Sequence, residues 1–317
     1  MTLKVTIHPN AIDPTFMVYN EGKAWDFLVE KLSEQSIHLD ITPGLFPTSE
    51  AAWAAADGRV DIAVAGLPPF SADVPIWNFG QLPFMVNTVD EFAYATQLNP
   101  AFMQIFKPTF EEKNLVYLGT SYVSMQYLWT PRPLEKVEDF KGLKMRTSGV
   151  EQTNTVKALG ASGVSIPVEE YQQALQRGTV DGLITGVHNG WRSGFYKMVK
   201  YINTWPITPT WQVVVMINKD AWNKLHPFQQ NALLSATGIA ENIAWGWGAA
   251  QNTEALAASK DLGIVVVTPS ASEIEKVRPI VQPVYDDWVK RAGPKAQPLI
   301  DAVNAGLAYY RKVLNVK

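Results

Sequence analysis

Short strand-like runs alternate with longer helix-like segments at the start of the chain, and this alternation most limits the possible folds. Apolar residues recur at every second position in Leu3–Ile7, and at three- and four-residue spacing in Asn20–Ser36. The pattern predicts further strands at Leu39–Thr42 and Val60–Ala65, and a short helix at Ser49–Asp57 opened by a serine cap. Strands and helices that alternate in this way indicate a mostly parallel sheet with helices on both faces.

The same alternation occurs again in the middle of the chain. Leu143–Thr147, Val164–Ile166 and Gly182–Thr185 are strand-like, and helices are predicted between them at residues 151–159 and Val168–Arg177. One hydrophobic core rarely grows beyond roughly 250–300 residues, and this chain has 317. The sequence therefore predicts two α/β lobes.

The remaining segments are predicted to connect and cover these lobes. We expect a long helical region between residues 227 and 262, and a helical tail from 272 to 313 interrupted at Pro279, Pro283, Pro294 and Pro298. The predicted N-terminal lobe comprises residues 1–123 with about 213–250, and the C-terminal lobe comprises residues 124–212 with about 251–275. Residues 276–317 are predicted to form helices that pack across the lobes.

Composition excludes several classes of protein. The formal net charge is −3, so no basic field attracts nucleic acid. No run of about eighteen apolar residues occurs, so no direct membrane insertion is expected. The chain contains no cysteine, which excludes disulfides and thiol catalysis. It enters its first strand directly after Met1 without a signal peptide, so either the protein is cytoplasmic or Met1 precedes a mature secreted chain.

Motifs of catalysis and cofactor binding are absent. No phosphate-binding glycine loop, GxGxxG, GxSxG or HExxH motif occurs. The four histidines have no metal-ligand spacing, and no carboxylate is paired with a nucleophile. We therefore expect no cofactor and no metal, and an enzymatic role has no support in these motifs.

Arg146 is the strongest candidate for a binding residue. It lies at the carboxyl end of a predicted strand, beside Thr147 and Ser148, and ligands of open α/β sheets bind beyond the carboxyl ends of strands. A guanidinium offers a planar set of donors that matches a carboxylate in two parallel hydrogen bonds. Taken alone, a strand-end arginine is more often part of a surface or interdomain ion pair.

The stretch around Arg146 resembles the solute-binding proteins of tripartite ATP-independent periplasmic (TRAP) transporters, the DctP-like family. Three motifs carry the resemblance, in the family's order and spacing. They are Asp139-Phe140-Lys141-Gly142-Leu143-Lys144-Met145-Arg146, then Leu159-Gly160-Ala161, then Tyr171 with Ala174-Leu175-Gln176, Gly178 and Val180-Asp181-Gly182. Weaker matches extend the resemblance over nearly the whole chain.

The resemblance implies a fold, a function and a location. The implied fold is a two-lobed periplasmic-binding-protein-like α/β fold with mixed sheets and long connecting C-terminal helices. Such proteins close on an organic anion in an interlobe cleft in the periplasm and deliver it to the membrane permease subunits, without catalysis. Arg146 occupies the position of the arginine that pairs with the ligand carboxylate.

Other predicted ligand contacts follow less directly from the resemblance. Gln126 is nearest to a second arginine of some members, and Thr185 stands where some have asparagine. Because such polar groups recognise sugar acids, their loss favours a smaller or more apolar acid. Trp211 either faces the cleft or packs in the core, with equal weight. The remaining predicted contacts are His8 and Gly66 at strand ends, Tyr122, and Val168.

Aromatic residues suggest the chemistry of the ligand's body. Phe70, Trp77, Phe79, Trp191 and Phe195 follow predicted strand ends, and each taken singly is better explained as core. Together they favour an aromatic or branched apolar monocarboxylate. Two alternatives stay open, namely an enzyme acting on a carboxylic acid and a sensory ligand-binding module.

Overall fold

The computed structural model describes residues 1–8 and 17–314, and the side chains of residues 17–21, 122, 247–251 and 314 lie outside that description. The strands are β1 (Thr2–Ile7), β2 (His38–Pro43), β3 (Ile62–Gly66), β4 (Leu115–Met125), β5 (Tyr127–Thr130), β6 (Lys144–Thr147), β7 (Ser162–Ser165), β8 (Gly182–Thr185), β9 (Tyr201–Asn203), β10 (Thr210–Asn218) and β11 (Val265–Val267). The helices are α1 (Met17–Leu32), α2 (Ala51–Ala56), α3 (Val89–Ala95), α4 (Pro100–Phe106), α5 (Pro108–Glu111), α6 (Val150–Ala158), α7 (Tyr171–Gln176), α8 (Val187–Arg192), α9 (Lys219–Asn223), α10 (Pro227–Ala258), α11 (Ala271–Ala292) and α12 (Ala296–Leu314).

The chain forms two compact units. Unit 1 comprises residues 1–67, 103–123 and 212–248, and unit 2 comprises residues 68–102, 124–211 and 249–317. Residues 68–102 were expected in the first lobe but belong to unit 2, because α3 packs on α12 and the 3-10 segment Pro75–Gln81 packs on α11. Long-range packing of this kind leaves no local signal in the sequence.

Unit 1 contains a five-stranded sheet in the order β2-β1-β3-β10-β4. Strand β1 is parallel to β2 and β3, and β10 is antiparallel to β3. Every residue of the central strands β3 and β10 is buried. Burial on both faces explains why these strands are nearly continuous apolar runs rather than alternating ones.

Unit 2 contains a six-stranded sheet in the order β11-β9-β5-β8-β6-β7. Strand β6 is parallel to β7 and β8, whereas β5 is antiparallel to β8 and β9. Trp129 and Leu183 face each other across β5 and β8 and pack with Tyr171 and Phe195 in one buried cluster. The two mixed sheets confirm the predicted fold class.

The C-terminal helices correct one prediction. Pro279 and Pro283 lie inside α11 and do not interrupt it, and the break occurs instead at Gly293. Both prolines are exposed, so the carbonyls left without a donor face water. Buried residues on the other side, including Trp288, hold the helix in place.

Several element boundaries also differ from the predictions. Helix α2 has Glu50 at its N-cap with no side-chain bond, so the predicted serine cap is wrong. Helix α7 begins at Tyr171 rather than Val168, because the preceding residues form a turn in which the Glu170 N–H donates to the Pro167 carbonyl. Helix α8 and strand β9 were not predicted.

Two negative findings apply to the described part of the chain. None of its helices combines the length and the apolar character needed to cross a membrane. Its histidine, aspartate and glutamate side chains form no group of three or more that could hold a metal ion.

Candidate carboxylate site

Strand register brings three predicted ligand contacts of unit 2 to one edge of its sheet. Arg146 pairs with Val164 of β7 and with Leu183 of β8, and Thr185 pairs with Tyr127 of β5. Because β5 runs antiparallel, its amino end lies beside the carboxyl ends of β6 and β8. Gln126, immediately before β5, is therefore at the same edge as Arg146 and Thr185.

The Arg146 side chain is buried and held by backbone carbonyls. Only 2% of its surface is exposed. Its Nε donates to the Ile166 carbonyl at 2.8 Å, and its Nη1 donates to the Ile184 carbonyl at 3.2 Å. Two of the five guanidinium donors are thus used by the protein. Among the residues that the structure describes, no carboxylate lies within ion-pair distance of this guanidinium.

Burial makes Arg146 an unusual arginine. Desolvation lowers its pKa well below the ordinary value for arginine, to about 10, and Tyr171 and Glu169 partly oppose this effect. The guanidinium carbon lies 5.2 Å from the centre of the Tyr171 ring, a cation–π contact that replaces part of the lost hydration. The side chain is still a cation at neutral pH, so it is a buried positive charge that an anion would stabilise.

A hydrogen-bonded cluster of side chains holds the Tyr171 ring that contacts Arg146. The Tyr171 hydroxyl is 2.9 Å from the Ser193 hydroxyl and accepts a hydrogen bond from Asn189 Nδ2 at 2.9 Å. The same amide nitrogen donates to Thr185 Oγ1, also at 2.9 Å. Burial raises the pKa of Tyr171, so this hydroxyl is neutral.

Asn189 was missed by the sequence analysis. It lies four residues after Thr185, in the helix that follows β8 directly, and that spacing was the available signal. The neighbouring Gly190 lets α8 approach the sheet, because an added Cβ would lie 2.2 Å from the Trp129 ring. This close approach fixes where Asn189 stands relative to the strand end.

The hydroxyls next to Arg146 are used within the protein. Ser148 donates from both its N–H and its hydroxyl to Gln152 Oε1 at 2.9 Å. Thr147 Oγ1 lies 2.7 Å from Thr153 Oγ1. Both residues therefore shape the turn from β6 into α6, and the guanidinium is the group beside them that keeps unused donors.

A buried ion pair anchors that turn to the C-terminal helices. Glu151, in the first turn of α6, is fully buried, and its Oε1 lies 2.6 Å from Arg291 Nη2. Asn78 Nδ2 donates to the other carboxylate oxygen. Desolvation raises the pKa of Glu151, and the hydrogen bonds from Arg291 and Asn78 lower it only in part. The pair holds the start of α6 only five residues beyond Arg146.

The other predicted contacts of unit 2 have different surroundings. Gln126 is buried, its Nε2 donates to Ser124 Oγ at 2.7 Å, and its N–H donates to the Pro209 carbonyl. Trp211 follows that carbonyl by two residues and is 9% exposed. Val168 lies in the turn before α7 and is half-buried. Their contact with a ligand stays a prediction.

Three predicted contacts belong to unit 1. Gly66 ends β3 and is buried, and His8 follows β1 and is half-buried. Residues 9 and 10, which the sequence analysis placed in the same loop as His8, lie outside the described residues, as does the side chain of Tyr122. The roles of His8, Gly66 and Tyr122 stay predictions.

Most of the predicted aromatic wall lies in the core of unit 2. Phe70 and Trp77 pack edge to face, and Phe79 packs against Phe92 and Phe102. Each of the first three is at most 1% exposed, as is Phe195. Trp191 is half-buried against the cluster around Trp129. The predicted aromatic residues that keep some exposure are therefore Trp211 and Trp191.

Two α/β units with mixed sheets, and a buried cation with unused donors at the strand ends of one of them, are features expected of a solute-binding protein. The family follows from a direct match. The model of the bacterial extracellular solute-binding proteins, family 7, named DctP, matches residues 10–291, and the chain belongs to this family.

Individual relatives agree with the family. The chain is 25% identical over 258 residues to a solute-binding protein of Albidiferax ferrireducens, covering 80% of this chain and 76% of that protein. It is 25% identical over 291 residues to the sialic acid-binding periplasmic protein SiaP of Vibrio cholerae, covering 90% and 88%. Its fold matches DctP7, a Bordetella pertussis extracytoplasmic solute receptor binding pyroglutamic acid, with a TM-score of 0.85, 20% identity, and coverage of 96% and 99%. The predicted TRAP solute-binding protein is thus confirmed.

Proposed function

We propose that this protein captures a small organic monocarboxylate through Arg146, outside the cytoplasm, and delivers it unchanged to the permease subunits of a TRAP transporter. One observation carries the proposal: the Arg146 guanidinium is buried, positively charged at neutral pH, and has no carboxylate within ion-pair distance among the described residues. A buried charge without a counterion is costly. An anionic ligand would offset that cost.

The geometry of the free donors favours a carboxylate. Nε and one hydrogen of Nη1 are bound to backbone carbonyls, which leaves Nη2 and the second hydrogen of Nη1. These two nitrogens form one edge of the guanidinium, and that edge matches the two oxygens of a carboxylate. Pyroglutamic acid, bound by DctP7, and sialic acid, bound by SiaP, both carry this group.

A single buried arginine favours one carboxylate over two. Gln126 stands at the shared strand edge as a neutral amide that already bonds to Ser124. Trp191 adds partly exposed apolar surface in unit 2, and Trp211 is buried except for 9% of its surface. We therefore propose a monocarboxylate with an aromatic or branched apolar body as the ligand, in preference to a dicarboxylate or a sugar acid.

Calorimetric titration with matched acids tests the proposal. The probes are orotate, benzoate, pyroglutamate and 2-oxo-4-methylpentanoate, with succinate and glucuronate as counterexamples and benzamide as the uncharged control. We expect at least one monocarboxylate to bind more tightly than both counterexamples, and benzamide not to bind. Equal binding of benzamide and benzoate, or a preference for succinate or glucuronate, would contradict it.

The two alternative functions predict different outcomes for the bound acid. An enzyme would change the acid on prolonged incubation, whereas a transport receptor returns it intact, as mass spectrometry would reveal. A sensory module would bind the acid but support no uptake. The receptor should instead drive its accumulation in vesicles that contain the cognate permease.

A further inference from the structure

The Thr185 hydroxyl has a defined direction in the folded protein. Its oxygen accepts a hydrogen bond from Asn189 Nδ2 at 2.9 Å, and the residue is 4% exposed. A hydroxyl has a single hydrogen to donate. In the described part of the chain, no acceptor is bonded to that hydrogen. A buried O–H donor without an acceptor is uncommon, and a ligand or a water molecule has to supply one.

Asn189 contacts both hydroxyls through the same amide nitrogen. Its two Nδ2 hydrogens are both used, one by Thr185 Oγ1 and one by the Tyr171 hydroxyl. A carboxylate oxygen in place of this nitrogen would reverse the arrangement, because both hydroxyls would then donate to it. The Tyr171 ring is fixed by the Phe195 ring, edge to face at 4.9 Å, and by the Ser193 hydroxyl. The orientation therefore belongs to the whole cluster.

The Thr185 hydroxyl and the Arg146 guanidinium lie close together. Arg146 Nη1 donates to the carbonyl of Ile184, the residue directly before Thr185. Arg146 also pairs with Leu183, and Thr185 lies two residues further along the same strand. Side chains two residues apart in a strand lie on the same face of the sheet, so the two donors share one face.

We infer that Asn189 is a positioning residue: it holds Thr185 as a hydrogen-bond donor beside Arg146, so that the two side chains present donors together to one carboxylate. This inference rests on the proposed function. It adds that the protein holds the Thr185 hydroxyl as a hydrogen-bond donor. The ligand atom at this point should therefore be an oxygen acceptor and not an N–H group.

Asn189→Asp tests the polarity directly. The ionised carboxylate introduced at this position would accept hydrogen bonds from both hydroxyls and turn the Thr185 hydrogen away from the ligand. Calorimetry uses the monocarboxylate among orotate, benzoate, pyroglutamate and 2-oxo-4-methylpentanoate that the wild type binds most tightly. We expect at least a 100-fold loss of affinity at pH 8.

The Thr185→Val background separates this effect from a direct action on Arg146. The introduced carboxylate would also compete with the ligand for the guanidinium, and that competition does not need Thr185. If polarity is the cause, Thr185→Val alone loses about 10- to 100-fold, the range for a hydrogen bond to a charged group. Adding Asn189→Asp should then cost little more.

Two further variants are controls that distinguish the proposed effect from misfolding. Thr185→Ser keeps the donor and should bind within about threefold of the wild type. Asn189→Ala frees the hydroxyl to rotate and should lose less affinity than Asn189→Asp at pH 8. Equal losses in Asn189→Ala and Asn189→Asp, or the same loss from Asn189→Asp with and without Thr185, would overturn the inference. If Arg146→Met binds as well as the wild type, the proposed function fails as well.

Discussion

Replacing Arg146 by methionine should separate binding from stability, because binding should weaken strongly while the free energy of unfolding changes little. Desolvation lowers the Arg146 pKa well below the ordinary value for arginine, to about 10. A lowering of that size corresponds to about 3 kcal/mol of electrostatic free energy stored in the protein without ligand. Methionine removes this cost while filling much of the same space against Tyr171.

The substitution also removes two hydrogen bonds. The carbonyls of Ile166 and Ile184 lose their donors, and each loss costs about 1–1.5 kcal/mol. The two effects nearly cancel, so we expect the free energy of unfolding of ligand-free Arg146→Met to lie within about 1 kcal/mol of wild type. Ligand binding, in contrast, should weaken by about 2–5 kcal/mol, because the carboxylate loses a buried partner.

Thermal melts with and without ligand measure both quantities. A ligand at 100 times its Kd raises the free energy of unfolding by about 2.7 kcal/mol, and in Arg146→Met this shift should fall to about 0.9 kcal/mol or less at the same concentration. The melting temperature of the ligand-free variant should move by only about 2 °C. Unfolding made easier by more than about 3 kcal/mol would mean that Arg146 is chiefly a structural residue. A full ligand shift in the variant would refute its role as the anchor.

The pH dependence of binding provides a second check on Arg146. An anion binds the protonated guanidinium, so affinity should be constant from pH 7 to 9 and fall about tenfold per pH unit above pH 10. The sign for stability is opposite, because burial lowers the folded-state pKa of this base to about 10, below its pKa in the unfolded chain. Between these two pKa values only the unfolded chain keeps the proton, so ligand-free stability rises with pH there relative to Arg146→Met.

Two further substitutions probe the support of the site. Arg291→Met leaves the buried Glu151 carboxylate without its cation and should lower the free energy of unfolding in urea by about 3–5 kcal/mol. Arg291→Lys should recover part of this loss. A loss below about 1 kcal/mol in Arg291→Met would show that Glu151 needs no cation. Gly190→Ala places a methyl group 2.2 Å from the Trp129 ring. It should lower the free energy of unfolding by about 1–3 kcal/mol and weaken binding. Gly238→Ala, in open space within α10, should instead raise the free energy of unfolding by about 0.5–1 kcal/mol. Equal effects of the two alanines in thermal melts would contradict the packing argument.

Local sequence patterns predicted the elements that depend on local physics. Strands β1, β6 and β8 and helices α6 and α10 lie within a few residues of the predicted bounds, because period and turn residues are local properties. The failures have tertiary causes. The exposed prolines of α11 remain helical because packing on the opposite face holds that helix, and α8 is too short for a periodic signal.

The sequence by itself determined the class of protein and pointed to Arg146 as its proposed anchor. The spacing from Asp139 to Gly182 identified the family and singled out Arg146 as the residue facing the strand ends, since those motifs report local turns and strand ends. Only the tertiary structure decided what surrounds Arg146. Its burial, the carbonyls that hold it and the Asn189 amide beside Thr185 depend on strand register and on the close approach of α8, which bring together residues distant in the chain.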